Sequence, residues 1–345
     1  MENLEVMISL VFIVVVGFIA GKIGYMNEEF DKKLSALIVN ITCPALILAS
    51  TMGDTLPDRN MIMPLLGISF VTYTLLAVLS FTLPRLLTRR KEDEGIVGFA
   101  LMFGNVGFIG YPIVASIFGS EAVFYAAILN VANTFYVFTI GNLLIANSNE
   151  TLSTTKRNEN YNKEDNKDNI VQHKTPELNQ DNNEKEDLKL RLKRKFEKKV
   201  LYSTPMLAAY LSMLIVALGI TGIPEAVSKP LTMIGNITVP GALLIIGSTM
   251  AQLSKRAMLG NVTVYATSAF RLVLIPLAFY WLFTWMGYDP YVVNINTVII
   301  AMPVATYGTI LCLINGRDTT LMTELTFTTT ILSMFTIPLL AEAFG

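Results

Sequence analysis

The sequence predicts an all-α integral membrane protein of ten transmembrane helices, built from two five-helix repeats of opposite orientation. Three observations carry this prediction. The 345-residue chain is 52% hydrophobic and 15% charged, a composition typical of membrane proteins. It contains ten apolar segments, most of which have the ~17–25 residues that a spanning helix needs, and a short motif recurs in both halves. The segments, numbered 1–10, are approximately 4–21, 33–52, 61–84, 95–118, 121–146, 200–219, 228–251, 261–284, 291–314 and 319–341.

Composition and motifs narrow the classes of function. The formal net charge is −1, and half of the basic residues are mixed with acids in one polar region, so no nucleic-acid partner is expected. Cys43 and Cys312 stand alone in apolar segments, and the single histidine, His173, lies in the polar region. We therefore expect no metal centre and no cofactor. The chain has no nucleophile-elbow or zinc-protease motif and no charged ring of a channel, so neither an enzyme nor a channel is expected.

The short loops predict the orientation in the bilayer, because cytoplasmic loops carry an excess of Lys and Arg. One side of the predicted topology has two basic residues, Arg59 and Lys229, and the other side has ten. Five segments precede residues 147–199, so this polar loop lies on the basic side. We predict a multi-pass protein of the plasma membrane with both termini outside and loop 147–199 in the cytoplasm. The ten residues are Lys22, Lys32, Lys33, Arg85, Arg89, Arg90, Lys91, Lys255, Arg256 and Arg317.

Residues 147–199 separate the first five-helix repeat, residues 1–146, from the second, residues 200–345. The loop is rich in Asn, Lys, Glu and Asp, and it holds 13 of the 26 basic residues. It has too few apolar residues to bury a core, so we predict that it is disordered. Its last part, 188–196, is either a basic helix at the membrane surface or a charged flank that fixes the topology.

A repeated motif relates the two halves. Residues 39–44, Val-Asn-Ile-Thr-Cys-Pro, match residues 235–240, Gly-Asn-Ile-Thr-Val-Pro, at an offset of 196. Each half has an odd number of segments, so the second half crosses the bilayer in the opposite sense. Inverted repeats of this kind are typical of secondary transporters.

Segments 4 and 9 are both interrupted by helix-weakening residues. Residues 104–112, Gly-Asn-Val-Gly-Phe-Ile-Gly-Tyr-Pro, place three Gly and one Pro in an apolar span, and residues 301–308 contain Pro303 and Gly308. Broken helix is tolerated in hydrocarbon only where it is buried in protein or lines a cavity. We therefore predict that these two broken helices cross at a solute site. The alternative is a pair of kinks that only shape the packing.

Several motifs resemble those of the auxin efflux carrier family, which comprises plant auxin exporters and prokaryotic relatives that include malate and malonate permeases. The resemblance covers essentially the whole chain outside 147–199, and the segment-4 motif is its most specific part. The motifs are Gly-Phe-Ile-Ala-Gly-Lys-Ile-Gly at 17–24, Asn-x-x-x-Pro from Asn40 to Pro44, Asn-x-Gly-Phe-x-Gly-x-Pro from Asn105 to Pro112, Arg-x-x-x-x-Pro from Arg271 to Pro276, and the mid-segment Pro303.

The resemblance implies a ten-helix fold like that of sodium–proton antiporters and bile acid transporters, with broken helices 4 and 9 crossing at its centre. It implies a scaffold domain of helices 1, 2, 6 and 7 and a mobile transport domain of helices 3–5 and 8–10. It also implies elevator-type alternating access and a homodimer. The loop is far shorter than that of the long plant exporters, so their loop-based phosphoregulation is not carried over.

The predicted substrate site uses the helix starts that follow the two breaks. Each start carries about half a positive charge and unpaired N–H donors, which suit a carboxylate. Asn105 adds an amide donor, and the resemblance implies substrate contacts for Asn105 and for the residues after Pro303. No asparagine follows Pro303 directly, which argues against a plant-type indole acid. The predicted substrate-binding residues are Asn105, Gly107, Gly110, Tyr111, Pro112, Pro303, Val304, Ala305 and Thr306.

Two charged residues lie within predicted spans, where ionisable groups are costly and are candidates for function. Arg271 is expected to pair with Glu324, to balance the charge of the anion or to exclude cations; a purely structural pair and snorkelling are the alternatives. Glu324 is a candidate for protonation during transport, unless it lies close enough to the surface to stay wet. Four further residues either kink the scaffold helices or wall the pocket: Asn40, Pro44, Asn236 and Pro240.

Together these observations predict a secondary transporter that moves a small organic anion, of the carboxylate type, by elevator-type alternating access. Its expected partners are the anion, the lipid bilayer and a second copy of the chain, with H+ and Na+ as candidate coupling ions. The alternatives are a sodium-coupled symporter of organic anions and a non-transporting sensor on the same fold.

Overall fold

The computed structural model describes residues 2–52, 57–146, 203–221, 223–252 and 261–344. The regular elements of these residues are helices, which confirms the predicted all-α class. We number the α-helices in chain order. They are α1 Glu2–Lys22, α2 Glu28–Leu37, α3 Cys43–Ala49, α4 Ile62–Thr82, α5 Pro84–Leu87, α6 Glu94–Met102, α7 Tyr111–Phe118, α8 Ala122–Tyr136, α9 Thr204–Ala217, α10 Glu225–Gly235, α11 Thr238–Ala251, α12 Val262–Ala269, α13 Ile275–Trp285, α14 Pro290–Ile300, α15 Tyr307–Ile314 and α16 Thr320–Phe344.

Among the described residues, five helices are long and apolar enough to cross a membrane, or six if one bent pair counts as a single span. Shorter apolar helices lie in further predicted segments, so the helices are consistent with a multi-pass membrane protein. The count of ten spans, the inverted repeat, the domain division and the orientation stay predictions. Loop 147–199 lies outside the described residues. The five long helices are Glu28–Ala49, Arg59–Thr82, Glu225–Ala251, Val262–Trp285 and Thr320–Ala343.

Several helices contain a wider π-helical turn, and proline explains most of these turns. Proline lacks an N–H group and clashes with the carbonyl of residue i−4, so the hydrogen-bond pattern shifts before it. Pro44, Pro112 and Pro276 each stand in the first turn of an α-helix that directly follows a π turn. Each of these prolines is therefore accommodated within a helix that continues past it. The π turns are Ile38–Thr42, Val106–Gly110, Val137–Gly141 and Phe270–Leu274.

Glycine lets segments 1 and 7 pack backbone against backbone. A Cβ atom at Gly17 would overlap the carbonyl of Leu244 on α11, and a Cβ atom at Gly247 would overlap the carbonyl of Val14 on α1. Small residues commonly permit such close approach between membrane helices. Helices α9 and α10 pack on α3, whereas α4 packs on α6 and α8, and α12 packs on α16.

The two copies of the repeated motif meet inside the protein. The hydroxyl of Thr238 donates to the hydroxyl of Thr42 at 2.9 Å, and both residues are buried. These threonines are 196 residues apart, which is the offset of the motif. In the first copy, the Asn40 amide donates to the carbonyl of Ala36 at 2.7 Å, a structural role at the bend before Pro44.

Candidate functional site at a helix crossing

The two interrupted segments, 4 and 9, contact each other at their breaks. Helix α6 ends at Met102 and α14 ends at Ile300, and each is followed by a short extended stretch. Gly104 and Val304 form an antiparallel bridge between these stretches. The backbone N–H of Asn105 donates to the carbonyl of Pro303 at 2.8 Å, and that of Ala305 donates to Phe103 at 3.1 Å. Each break thus satisfies the backbone groups that the other leaves free, as a membrane interior requires.

Arg271 lies against the ends of both broken helices. Its side chain is 1% exposed. Its Nε atom donates to the carbonyl of Met302 at 3.0 Å, and Nη1 donates to that of Leu101 at 2.8 Å. The Leu101 carbonyl belongs to the C-terminal end of α6, where a helix leaves acceptors unpaired and carries partial negative charge. The Met302 carbonyl lies two residues beyond the end of α14. The guanidinium therefore satisfies both helix ends and fixes them to each other. It also explains Gly104, because a Cβ atom there would overlap Arg271 Nη2.

A new helix starts after each break. One start is the π turn that follows Asn105, and the other is α15, which follows Thr306. The first N–H groups of a helix have no partner within the helix and carry partial positive charge. Neither the Asn105 nor the Thr306 side chain caps its helix. The starts therefore keep donors that suit an anion.

Two cavities adjoin these helix starts, and Asn105, Phe108 and Thr306 line both of them. Cavity A has a volume of about 210 Å³ and reaches α8 and α9. Cavity B has a volume of about 310 Å³ and reaches α11 and α16. No charged side chain of the described residues lines either cavity. The other polar lining residues are Asn130, Asn133, Thr134, Ser203 and Tyr307 in cavity A, and Ser35, Thr249, Thr309, Thr323, Thr326 and Thr330 in cavity B.

Three of the nine predicted substrate-binding residues line a cavity: Asn105, Gly107 and Thr306. The other six line neither cavity and pack around the two breaks. Gly110 packs against Met302, and the Tyr111 hydroxyl accepts a hydrogen bond from Asn130 at 2.9 Å. Pro112 is buried in the first turn of α7, Pro303 accepts the bond from Asn105, and Val304 and Ala305 are 0% exposed.

The candidate scaffold residues Asn40, Pro44, Asn236 and Pro240 line neither cavity. Val39, which precedes the first of them, does line cavity A. The structure therefore places these four residues outside both cavities, with Asn40 and Asn236 exposed.

Arg271 and Glu324 form no ion pair with each other, since the guanidinium donates to backbone carbonyls. Glu324 is half-buried in the second turn of α16. Of the roles expected for Arg271, pairing with Glu324 is wrong. Arg271 instead binds backbone carbonyls, and its roles in balancing the charge of the anion and in excluding cations stay predictions.

A polar patch on α8 was missed in the sequence. Asn133 donates to the Asn130 side chain at 2.8 Å, and Asn130 in turn donates to Tyr111. The side-chain oxygen of Asn133 and the hydroxyl of Tyr307 are buried, and the Asn133 side chain interacts with Tyr307. Since all but Tyr111 line cavity A, the patch offers additional polar groups to a solute. The available signal was the pair of asparagines three residues apart, which share one face of an apolar helix.

The fold and the site define a class: a multi-pass membrane protein in which two broken helices meet beside two cavities with both polar and apolar lining residues. Residues 3–341 match the sequence model of the membrane transport protein family, and the chain belongs to this family, that of the auxin efflux carriers. An uncharacterized transporter of Methanothermobacter thermautotrophicus is 30% identical over 149 residues, which are 42% of this chain and 48% of the relative. An uncharacterized transporter of Methanocaldococcus jannaschii is 25% identical over 144 residues, 41% of this chain and 46% of the relative. Each match thus spans about half the length of the relative.

Proposed function

We propose that this membrane transport protein is a secondary transporter of a small organic anion of the carboxylate type. The observation that carries the proposal is the pair of helix starts beside Asn105 and Thr306, which face cavities that no charged side chain of the described residues lines. Partial charges and neutral donors bind an anion without the strong hold of a full cation at the contact. A site of this kind suits a carrier, which has to release its ligand on the other side.

The position of the cavities supports elevator-type alternating access. Each cavity has walls from both predicted domains: Val39 and Met206 face the crossing in cavity A, and Ile245 and Met250 face it in cavity B. In the predicted topology, the outer parts of both cavities lie near the cytoplasmic helix ends. We therefore propose that this conformation is the inward-facing state, with the anion bound between a scaffold and a mobile domain. Following the family resemblance, we propose a homodimer in the plasma membrane.

A sodium-coupled symporter is the less favoured candidate. In transporters with broken helices, unwound carbonyls and the C-terminal ends of half-helices coordinate the coupling ion. Here Arg271 binds the carbonyl of Leu101 at the end of α6 and that of Met302 in the unwound stretch after α14. The geometry therefore favours a carrier that needs no sodium. Proton coupling through Glu324 and a sensor function are separate alternatives that the transport assay addresses.

The test is transport by the purified full-length protein in liposomes. Radiolabelled lactate, C3–C5 dicarboxylates, an auxin-like acid and a bile acid are supplied under imposed Na+ or H+ gradients, with protein-free liposomes as the control. We expect saturable uptake of at least one small carboxylate that persists when choline replaces Na+. Uptake that requires Na+ would support the symporter, and no uptake of any anion under any gradient would support the sensor.

A further inference from the structure

Arg271 carries a charge that the proposed mechanism has to move. Its guanidinium is 1% exposed, and arginine stays protonated inside proteins. Through its bonds to Leu101 and Met302 it is fixed to both broken helices. In the elevator mechanism of the proposed function, both helices belong to the mobile domain. The positive charge therefore travels with the site.

The groups around Arg271 do not cancel this charge. Its hydrogen-bond partners are carbonyl dipoles, and no described Asp or Glu forms an ion pair with it. Glu324 lies in the second turn of α16, where it is half-exposed. The cavities, as far as the structure describes them, add no charged side chain. The carboxylate of a bound anion is then the group that balances Arg271 in the loaded domain.

We propose that Arg271 is a fixed counter-charge for the transported anion, so that the loaded domain crosses the membrane with one negative charge fewer than the anion carries. This inference rests on the proposed function. A loaded monocarboxylate then makes the domain electrically neutral in its buried part, whereas the empty domain returns with one positive charge. Membrane potential acts on the return of the empty site and not on the movement of the anion. Monocarboxylates are the preferred substrate class, because a dicarboxylate leaves one uncompensated charge in the moving domain.

The test compares net uptake with exchange in proteoliposomes under a potassium diffusion potential set by valinomycin. Net uptake includes the empty return step, whereas exchange of labelled for unlabelled anion uses only loaded steps. With lactate as the probe, we expect net uptake to respond to voltage, with a limit of about 50-fold per 100 mV for one charge that crosses the whole field, and exchange to change by less than about 2-fold. Malonate exchange is the matched control and is expected to stay voltage-dependent, since its second charge is uncompensated.

The outcomes separate the inference from the function beneath it. If none of the probes is transported, the proposed function fails. If lactate is transported and its exchange follows voltage as strongly as its net uptake, the transporter stands and the counter-charge is overturned. If the wild-type protein transports malonate but not lactate, the preference for monocarboxylates is overturned.

Two variants examine the residue itself. Arg271→Lys keeps the charge, and we expect its lactate exchange to stay insensitive to voltage. Arg271→Gln keeps an amide donor and removes the charge, so its lactate exchange should become voltage-dependent. A response of Arg271→Gln equal to that of the wild type, or a change on Glu324→Gln instead, would overturn the assignment. If Arg271→Gln does not fold, the wild-type comparison of exchange with net uptake decides alone.

Discussion

The first arm of the crossing, residues 103–110, places an amide side chain at the cavities, whereas the second arm, residues 302–307, places a hydroxyl there. Asn105 and Ala305 hold equivalent positions on either side of the Gly104–Val304 bridge. Asn105 is 7% exposed and lines both cavities, while Ala305 is 0% exposed and lines neither. The backbone of the two arms is nearly symmetric, and the side chains are not. The polar side chains that the second arm contributes to the cavities are those of Thr306 and Tyr307.

The largest expected effect follows from a methyl group added to the first arm. In Gly104→Ala the new Cβ atom would overlap the guanidinium of Arg271 and lie 3.1 Å from the Met302 Cβ atom. We expect a loss of about 3 kcal/mol in the free energy of unfolding, typical of overpacking. Gly107→Ala is the matched control, because a Cβ atom at Gly107 meets nothing within 4 Å. Thermal unfolding in detergent measures both, and equal midpoints would contradict the close contact.

Removal of the amide from the first arm is expected to weaken the anion site strongly. Asn105→Ala should raise the KM for the transported anion about 30-fold, or about 2 kcal/mol, which is typical of a hydrogen bond to a charged group. Asn60→Ala, at an exposed asparagine outside the cavities, serves as the control. Transport kinetics in liposomes give both values. Unchanged kinetics of Asn105→Ala would remove Asn105 from the site.

An asparagine placed on the second arm tests whether the arms are interchangeable. Ala305→Asn puts an amide at the position equivalent to Asn105, but in a fully buried environment. We expect no gain in affinity and a loss of about 1.5 kcal/mol in unfolding free energy, since a buried amide without partners is costly. Ala305→Ser, with a smaller polar group, should lose less. A stable Ala305→Asn protein with tighter anion binding would show that this position does face the site.

The smallest expected effect concerns the hydroxyl of the second arm. Thr306→Val should raise the KM about 5-fold, or about 1 kcal/mol, as for the loss of one ordinary hydrogen bond. Thr306→Ser keeps the hydroxyl and should retain the wild-type KM. If the valine and serine variants behave alike, the hydroxyl makes no contact with the anion.

The two breaks could be located from the sequence, whereas the partners of Arg271 could not. Gly and Pro residues such as Gly104 and Pro303 disfavour a helix through their own backbone chemistry, so the position of each break can be predicted from the local sequence. The carbonyls that bind Arg271 lie 31 and 170 residues away, and carbonyls are present at every position. From sequence alone, the expected partner of a buried arginine is an acidic side chain, and this expectation selects Glu324 for Arg271.

The lining of the site was only partly predictable for a related reason. Residues 105–112 and 303–306 adjoin the two breaks, but which of them face the cavities depends on how the chain turns after each break. The π turn at Val106–Gly110 shifts the following residues around the helix. Tyr111 consequently points at Asn130 instead of the cavities. Asn130 and Asn133 lie outside the motifs and join the site only through the packing of α8.

The hydrogen bond between Thr42 and Thr238 bears on the origin of the chain. It joins residues 196 apart, so each threonine meets its own counterpart in the other half. In symmetric dimers, a residue on the two-fold axis contacts its own copy in the same way. The repeat stays a prediction, and on it a contact of this kind is what a five-helix ancestor that paired with itself would leave after duplication and fusion.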